Sequence, residues 1–216
     1  MLNITIMAIV LGSKSSTGVV LPLLCVADFL AVVYYRRHVN WSHFRKLAPW
    51  IAAGILIGVL AGQDMNELYF KKVMAVIIVL AVIIMIFLEV KKSLVLPSNK
   101  FFAAALGLVA GITTMLGNLG GSFANIYFLA MRFPKNDFIG TAAWLFFFVN
   151  LFKLPFQFFF WNNMNVSTLS TDLVLIPSLL LGFWAGIKIV AVIHDDGYRK
   201  IVIVMTLIGA IFIFMR

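Results

Sequence analysis

The chain has 216 residues, of which 63% are hydrophobic and only 12% are charged, and its formal net charge is +9. Soluble domains are about 45–50% apolar and about 25% charged, so this composition predicts an integral membrane protein and excludes an ordinary soluble domain. Lys and Arg occur singly or in pairs between apolar segments, so the positive charge indicates membrane orientation and not nucleic-acid binding. The single cysteine, Cys25, excludes an intramolecular disulfide and a thiolate metal cluster.

Apolar segments of about 20 residues recur along the chain, which predicts an all-α membrane protein and not the short alternating strands of a membrane barrel. Residues 4–12 are apolar but too few to span. The other predicted helical segments, seven or eight in all, are 17–35, 47–62, 69–90, 101–116, 122–131, 138–160, 172–193 and 198–215. The stretches between them are expected to be connections, at 36–46, 91–100, 132–137 and 161–171.

An internal repeat is visible at an offset of 128 residues, where one proline and two glycines of segment 47–62 recur in segment 172–193. The matching positions are Pro49, Gly54 and Gly58 in the first half and Pro177, Gly182 and Gly186 in the second. The spacing persists into the helix that follows in each half. We therefore predict two repeats, covering residues 1–92 and 93–216.

The charges predict that these repeats are inverted. Connection 36–46 carries four Lys and Arg residues, whereas its repeat mate 161–171 carries none, so the positive-inside rule places them on opposite sides of the membrane. This topology requires segment 101–131 to enter and leave on the same side, as a helical hairpin broken at 117–121. Inverted repeats are typical of secondary transporters, whose binding site lies at the repeat interface.

The break supplies the first candidate binding groups. Gly117, Gly120 and Gly121 would let the backbone turn and leave amide N–H groups open, and Ser122 is a candidate N-cap of the following helix. Asn118 adds a side-chain amide. Oxyanions bind well at such broken helix ends. The alternative is that the Gly117-xxx-Gly121 pattern is a packing face between helices.

Lys153 is the sharpest functional signal, because it lies deep within segment 138–160. A lysine near the centre of a bilayer costs about 2.5–3.5 kcal/mol on insertion scales, so it requires a partner, a hydrated cavity or a ligand. We favour an anion-facing role, and an ion pair with Asp28 in segment 17–35 is the alternative. At an offset near 122, Asp28 falls opposite Asn150, which would bring the two pseudo-equivalent spans together.

Other positions have structural or secondary interpretations. Thr141 follows Gly140 at the start of the same span and could cap the helix or point its hydroxyl into a pathway, while Gln157 is expected to face the same side as Lys153. The glycine patterns at 54, 58 and 62 and at 182 and 186 predict helix-packing faces. The chain lacks zinc-protease, Cys-x-x-Cys and nucleotide-phosphate motifs, so we predict no enzyme activity, no cofactor and no metal site.

Several of these motifs together resemble the TauE/SafE sulfite-exporter family, also called the 4-toluenesulfonate uptake permeases. The resemblance rests on Gly117-Asn118-Leu119-Gly120-Gly121, Phe138-Ile139-Gly140-Thr141-Ala142-Ala143-Trp144, Asn150, Lys153 and Pro155, with Thr17-Gly18, Asp28, Arg36-Arg37-His38 and Trp41 in the first half. It implies export or uptake of sulfite, sulfonates, thiosulfate or related organic anions, coupled to the proton gradient. A non-transporting scaffold or partner subunit and an anion channel are the alternatives.

Residues and motifs together give one expected site. The predicted substrate-binding residues are Asn118, Gly120, Gly121, Ser122, Thr141, Asn150 and Lys153, with Asp28 as a coupling or structural partner. The expected location is the inner membrane of a bacterium, with a small anion and the lipid bilayer as partners, and homo-oligomerisation is left open. Family members also begin with a mirror of 101–131, for which this chain has no room, so the first repeat is expected to lack its N-terminal element.

Overall fold

The computed structural model describes residues 13–63, 65–90, 99–164 and 166–214, so the apolar segment at 4–12 lies outside it. These residues form eight α-helices, with a 3-10 helix at Arg36–His38 and a π-helix at Phe156–Phe160. The helices are α1 (Ser13–Tyr35), α2 (Trp41–Gln63), α3 (Glu67–Val90), α4 (Lys100–Gly117), α5 (Gly120–Ala130), α6 (Lys135–Pro155), α7 (Val166–Val192) and α8 (Asp195–Phe214). No strand occurs in the described ranges, which confirms the all-α prediction.

Five helical segments within the described residues are long and apolar enough to cross a membrane. They are Ser16–His38, Trp41–Gln63, Lys100–Gly117, Lys135–Phe160 and Asp172–Val192. Each is at least 18 residues long, which at 1.5 Å per residue is about 27 Å, close to the thickness of the hydrocarbon core. The chain is therefore a multi-pass helical membrane protein.

Three helices begin three or more residues inside a connection that the sequence predicts. Helix α2 begins at Trp41, inside the predicted connection 36–46, and α7 begins at Val166, inside the predicted connection 161–171. Helix α6 begins at Lys135, inside 132–137. Hydropathy marks only the part of a helix that lies in hydrocarbon, whereas a helix continues through the polar headgroup layer, where charged and polar side chains are solvated.

Helix α4 ends at Gly117 and is capped by Asn118, which adopts the left-handed conformation with φ 56°. Its backbone N–H donates to the carbonyl of Thr114 at 2.9 Å. The expected glycine turn is thus made by an asparagine, because the short side chain of Asn tolerates this conformation better than any other residue except Gly. Gly120 serves close packing, since a Cβ there would lie 2.6 Å from the carbonyl oxygen of Ala110.

Helix α5 then returns along α4. The ring of Tyr127, near the end of α5, stacks on that of Phe102, near the start of α4, with 6.1 Å between centroids. The imidazole of His43, in the first turns of α2, lies 2.7 Å from the Tyr127 hydroxyl. Both ends of the hairpin therefore lie at one end of the molecule, as predicted for segment 101–131.

Glycines hold α2 against α4, and this is the most extensive helix pair among the described residues. A Cβ on Gly54 would overlap the carbonyl oxygen of Leu108, and one on Gly111 would overlap that of Ile51. Small residues allow membrane helices to approach closely, so the packing face at Gly54, Gly58 and Gly62 is confirmed. In α7, by contrast, a Cβ on Gly182 or Gly186 would meet no described atom within 4 Å.

The connections sort to two ends of the bundle. Gly140 of α6 lies directly against the backbone of His38, and the ammonium of Lys135 donates to the carbonyl of Ile193 at 2.5 Å. At the opposite end, Gly18 of α1 contacts Asn163 and Gly62 of α2 contacts Trp161. The region 36–46 and the region 161–164 therefore lie at opposite ends of the molecule, as an inverted repeat requires.

Candidate functional site

A polar cavity of about 230 Å³ lies among α1, α4, α5 and α6, next to the break between α4 and α5. Its lining residues are Leu24, Asp28, Thr114, Asn118, Gly121, Asn125, Phe146 and Asn150. Five of these eight side chains are polar, in a protein that is 63% hydrophobic. Polar groups within membrane spans face bundle interiors or hydrated cavities and mark substrate pathways, so this cavity is the leading candidate for the binding site.

The ammonium of Lys153 lies directly behind the cavity wall. Lys153 is fully buried, and its Nζ donates to the side-chain oxygen of Asn118 and, at 3.5 Å, to the hydroxyl of Thr114. The side-chain amide of Asn118 in turn donates to the carbonyl of Thr17 at 3.2 Å. Asn118 is therefore fixed between a cation and a carbonyl, and the ammonium is separated from the cavity only by the side chains of Asn118 and Thr114.

Asp28 lies in the wall of the same cavity, and its carboxylate accepts a hydrogen bond from the Asn150 amide at 2.7 Å. This contact joins α1 to α6, so the two spans meet at the positions that the offset of 122 predicts. No direct ion pair links Asp28 to Lys153 among the described residues: Asp28 instead accepts from Asn150, and Lys153 donates to Asn118. The cavity therefore has a carboxylate in its wall and an ammonium close behind it.

Helix α6, which carries Asn150 and Lys153, is followed directly by the π-helix. Asn150, Lys153 and Gln157 are three and four residues apart and so share one face of the helix. After Pro155, the chain forms a π-helix in which the N–H of Trp161 donates to the carbonyl of Phe156 at 3.1 Å. Such π-turns are frequent at functional sites.

Gln157 lies at this winding change and continues the polar network away from the cavity. It is fully buried, its amide donates to the hydroxyl of Thr17 at 3.4 Å, and its side-chain oxygen accepts from Asn163 at 3.2 Å. Thr17 also accepts from Asn118 through its carbonyl. The expectation that Gln157 faces the same side as Lys153 is confirmed, since both side chains reach the group of residues around Thr17 and Asn118.

Comparison with known protein families covers almost the whole chain. A family model described as sulfite exporter TauE/SafE matches residues 1–213. The chain belongs to the TauE/SafE family. Neither the search of curated proteins nor the search of solved structures found a match. TauE/SafE proteins are membrane transporters and not enzymes, so the cavity is best examined as a transport site.

Not every residue of the TauE/SafE motifs reaches this cavity. The hydroxyl of Thr141 accepts a hydrogen bond from the backbone N–H of Asn40 at 2.9 Å. Thr141 is nine residues from Asn150 along α6, which corresponds to about 14 Å. Gly140 lies against His38. The Gly-Thr pair therefore holds the connection between α1 and α2, and the structure does not bring Thr141 to the site.

The glycine break also contributes fewer groups than the sequence indicates. Ser122 is fully buried in the first turn of α5 and is not its N-cap, which is Leu119 without a side-chain hydrogen bond. Gly120 packs against α4. Asn118 and Gly121 do line the cavity, and the nearest atom to a Cβ at Gly121 would be a ring carbon of Phe146 at 3.7 Å.

Two polar lining residues, Thr114 and Asn125, have no place in the sequence prediction. Thr114 precedes Asn118 by four residues and Asn125 follows Gly121 by four, so each shares a helix face with a predicted substrate-binding residue. That spacing is the signal that could have revealed them. The Asn125 amide forms no hydrogen bond within the described part of the chain, so it is available to a ligand.

The donor types of this TauE/SafE cavity suit an oxyanion. Amide N–H groups and hydroxyls donate to anion oxygens, and the nearby ammonium adds positive potential. No group of three or more His, Cys, Asp or Glu residues that could hold a metal ion occurs among the described residues. The cavity is therefore a site of amides and one carboxylate, with a buried lysine behind them.

Proposed function

We propose that this TauE/SafE member is a secondary transporter that moves sulfite or a related small sulfur-containing anion across the inner membrane of a bacterium. The single observation that carries the proposal is the cavity beside the helix break, with Asn118 in its wall and Lys153 held against Asn118. The family supplies the transporter class. The size and charge of the cavity support the substrate class.

Size favours a small anion. Pockets for drug-sized ligands occupy about 300–1,000 Å³, and this cavity is smaller, at about 230 Å³. Sulfite and similar oxyanions present three or four compact oxygens to hydrogen-bond donors. The amides of Asn118, Asn125 and Asn150 surround that space, so a ligand with several acceptors and little apolar bulk suits it best.

Asp28 provides a route to proton coupling. An unprotonated carboxylate in the wall repels an anion in the cavity, because both are poorly screened inside a membrane protein. The anion therefore binds best when Asp28 carries a proton. By reciprocity, anion binding favours protonation of Asp28 to the same degree, so proton and anion move together.

Alternating access would come from relative motion of the two repeats, 1–92 and 93–216. Asp28 belongs to the first and Asn150 to the second, and their hydrogen bond crosses the boundary beside the cavity. Inverted-repeat transporters rock one repeat against the other around a fixed site. Protonation of Asp28 would weaken or redirect this bond and so alter the contact between the repeats.

The test is sulfite flux into proteoliposomes that contain the purified chain. We expect Lys153→Met and Asn118→Ala each to lower the flux at least tenfold, whereas Lys188→Met, which removes an exposed lysine from the span in α7, should leave it unchanged. Flux should saturate with sulfite concentration. Unchanged flux in both site variants would refute the site assignment, and flux that rises linearly without saturation would indicate a channel.

A further inference from the structure

A second cavity lies away from the transport site, at the end of the molecule that holds the 3-10 helix Arg36–His38. Its volume is about 530 Å³, and its walls come from the end of α1, the 3-10 helix and the side of α7. We call it the basic recess. Arg36, Arg37 and His38 form its polar side, and Tyr34, Phe183 and Trp184 form its aromatic side.

The recess exists because α7 continues beyond the end of α1. The rings of Tyr34 and Phe183 meet edge to face, with 6.4 Å between centroids, just before α1 ends at Tyr35. Helix α7 continues for nine more residues to Val192, about 14 Å further. The 3-10 helix turns the chain away at this point, which leaves a step between the end of α1 and the wall of α7.

The polar side of the recess is cationic and unpaired. Arg36 and Arg37 are exposed, and neither guanidinium forms an ion pair or a hydrogen bond with another residue within the described ranges. No acidic residue of the described part of the chain lines the recess. A guanidinium presents donors in a fork that matches the oxygens of a phosphate, so two adjacent arginines suit a phosphate-bearing group.

The other side of the recess is apolar and opens toward the bilayer. Val33 is 54% exposed and Trp184 is 60% exposed, and both belong to segments that are apolar enough to span a membrane. Tryptophan and tyrosine favour the level of the lipid headgroups, where one side of the ring is wet and the other apolar. A free phosphate ion would use the arginines and leave this wall unused, whereas a phospholipid would contact both.

We propose that the basic recess binds the headgroup of an anionic phospholipid, with Arg36 and Arg37 on the phosphate and an acyl chain against Val33 and Trp184. Basic pockets beside membrane helices at the cytoplasmic face recognise anionic headgroups in this way. The bound lipid would fill the step between α1 and α7. Because α1 also carries Asp28, the lipid would stabilise the helix on which the transport site depends.

The experiment is native mass spectrometry of the purified full chain with phosphatidylglycerol and with phosphatidylcholine of identical acyl chains. Each basic residue beside an anionic headgroup contributes about fivefold to affinity, so the double variant Arg36→Gln/Arg37→Gln should bind phosphatidylglycerol about thirtyfold more weakly. The matched control, Arg45→Gln/Arg132→Gln, removes two exposed arginines outside the recess and should bind as the wild type does. Phosphatidylcholine should bind the wild type more weakly than phosphatidylglycerol.

Two further measurements distinguish binding of a phospholipid from binding of free phosphate, and they do not depend on changing the arginines. Trp184→Ala, a change at an exposed position, should weaken phosphatidylglycerol binding while leaving the arginines in place. Inorganic phosphate should not displace the lipid. Equal binding of the two lipids, equal losses in the two double variants, or displacement by inorganic phosphate would each overturn the proposal.

Discussion

The proton-coupling role proposed for Asp28 gives the most discriminating prediction, through the change Asp28→Asn. The amide has the same shape as the carboxylate, and its oxygen can still accept the 2.7 Å hydrogen bond from Asn150. The substitution therefore removes a charge and keeps the contact between α1 and α6. Any loss of coupling then reports on the charge and not on the packing.

The magnitude follows from the size of the cavity. A sphere of about 230 Å³ has a radius of about 4 Å, so an anion at its centre lies roughly that far from a carboxylate in the wall. Two like charges at about 4 Å repel each other by about 4 kcal/mol at an effective dielectric constant near 20. That energy corresponds to about a thousandfold difference in anion affinity between the charged and the protonated site.

The assay measures sulfite exchange and pH-driven accumulation in the same proteoliposomes. Wild-type affinity should fall as pH rises, because the proton leaves Asp28, whereas Asp28→Asn should bind sulfite with little pH dependence. The variant should still exchange sulfite across the membrane but should no longer accumulate it in response to a pH gradient. Asp172→Asn, a matched change in another span and outside the cavity, should accumulate sulfite normally.

The outcome that refutes this reasoning is specific. If Asp28→Asn accumulates sulfite in a pH gradient as the wild type does, then the proton is carried elsewhere and Asp28 has only a structural role. If the variant loses exchange as well as accumulation while remaining folded, the carboxylate is required for binding itself. Repulsion between the Asp28 carboxylate and the anion would then not explain the coupling.

Three further predictions concern the scaffold around the cavity. Gly111→Leu should destabilise the protein by about 1–3 kcal/mol or more, because the new side chain would overlap α2. The loss should be seen as a lower thermal midpoint in detergent, whereas Gly182→Leu should have little effect. Asn118→Gly should keep the left-handed turn and the thermal midpoint but lose most transport, and retained transport would show that the amide is not needed. Thr141→Val should lower the thermal midpoint, because the N–H of Asn40 loses its partner at a cost of about 1–3 kcal/mol. The KM for sulfite should not change, and a raised KM would show that Thr141 contributes to substrate binding.

The sequence predicts the architecture well because hydropathy, glycine spacing and charge are one-dimensional signals. The hairpin at 101–131 followed from the distribution of Lys and Arg, and the structure places both of its ends together. The contact between Asp28 and Asn150 followed from an offset of 122 residues between their two spans. Helix ends were less predictable, because hydropathy does not detect the helical turns that lie in the headgroup layer.

The composition of the site could be predicted only in part, because it depends on how each helix is rotated. Lys153 and Asn118 were recognisable as polar groups in an apolar context, but their direct contact arises from the left-handed turn at Asn118, which the sequence assigned to glycine. Thr114 and Asn125 are ordinary residues for a membrane helix and gain significance only through the cavity that they line. Thr141 belongs to a family motif, but its hydroxyl accepts a hydrogen bond from Asn40, in the connection between α1 and α2.

The left-handed turn at Asn118 also constrains how far this position can vary. Glycine satisfies the backbone but leaves the lysine without its oxygen, and glutamine supplies the amide but not the backbone geometry. Aspartate could satisfy both, yet its charge would neutralise the ammonium that it meets. Saturation mutagenesis of this position should therefore give variants that fold without transporting and variants that do not fold, and asparagine alone should both fold and transport.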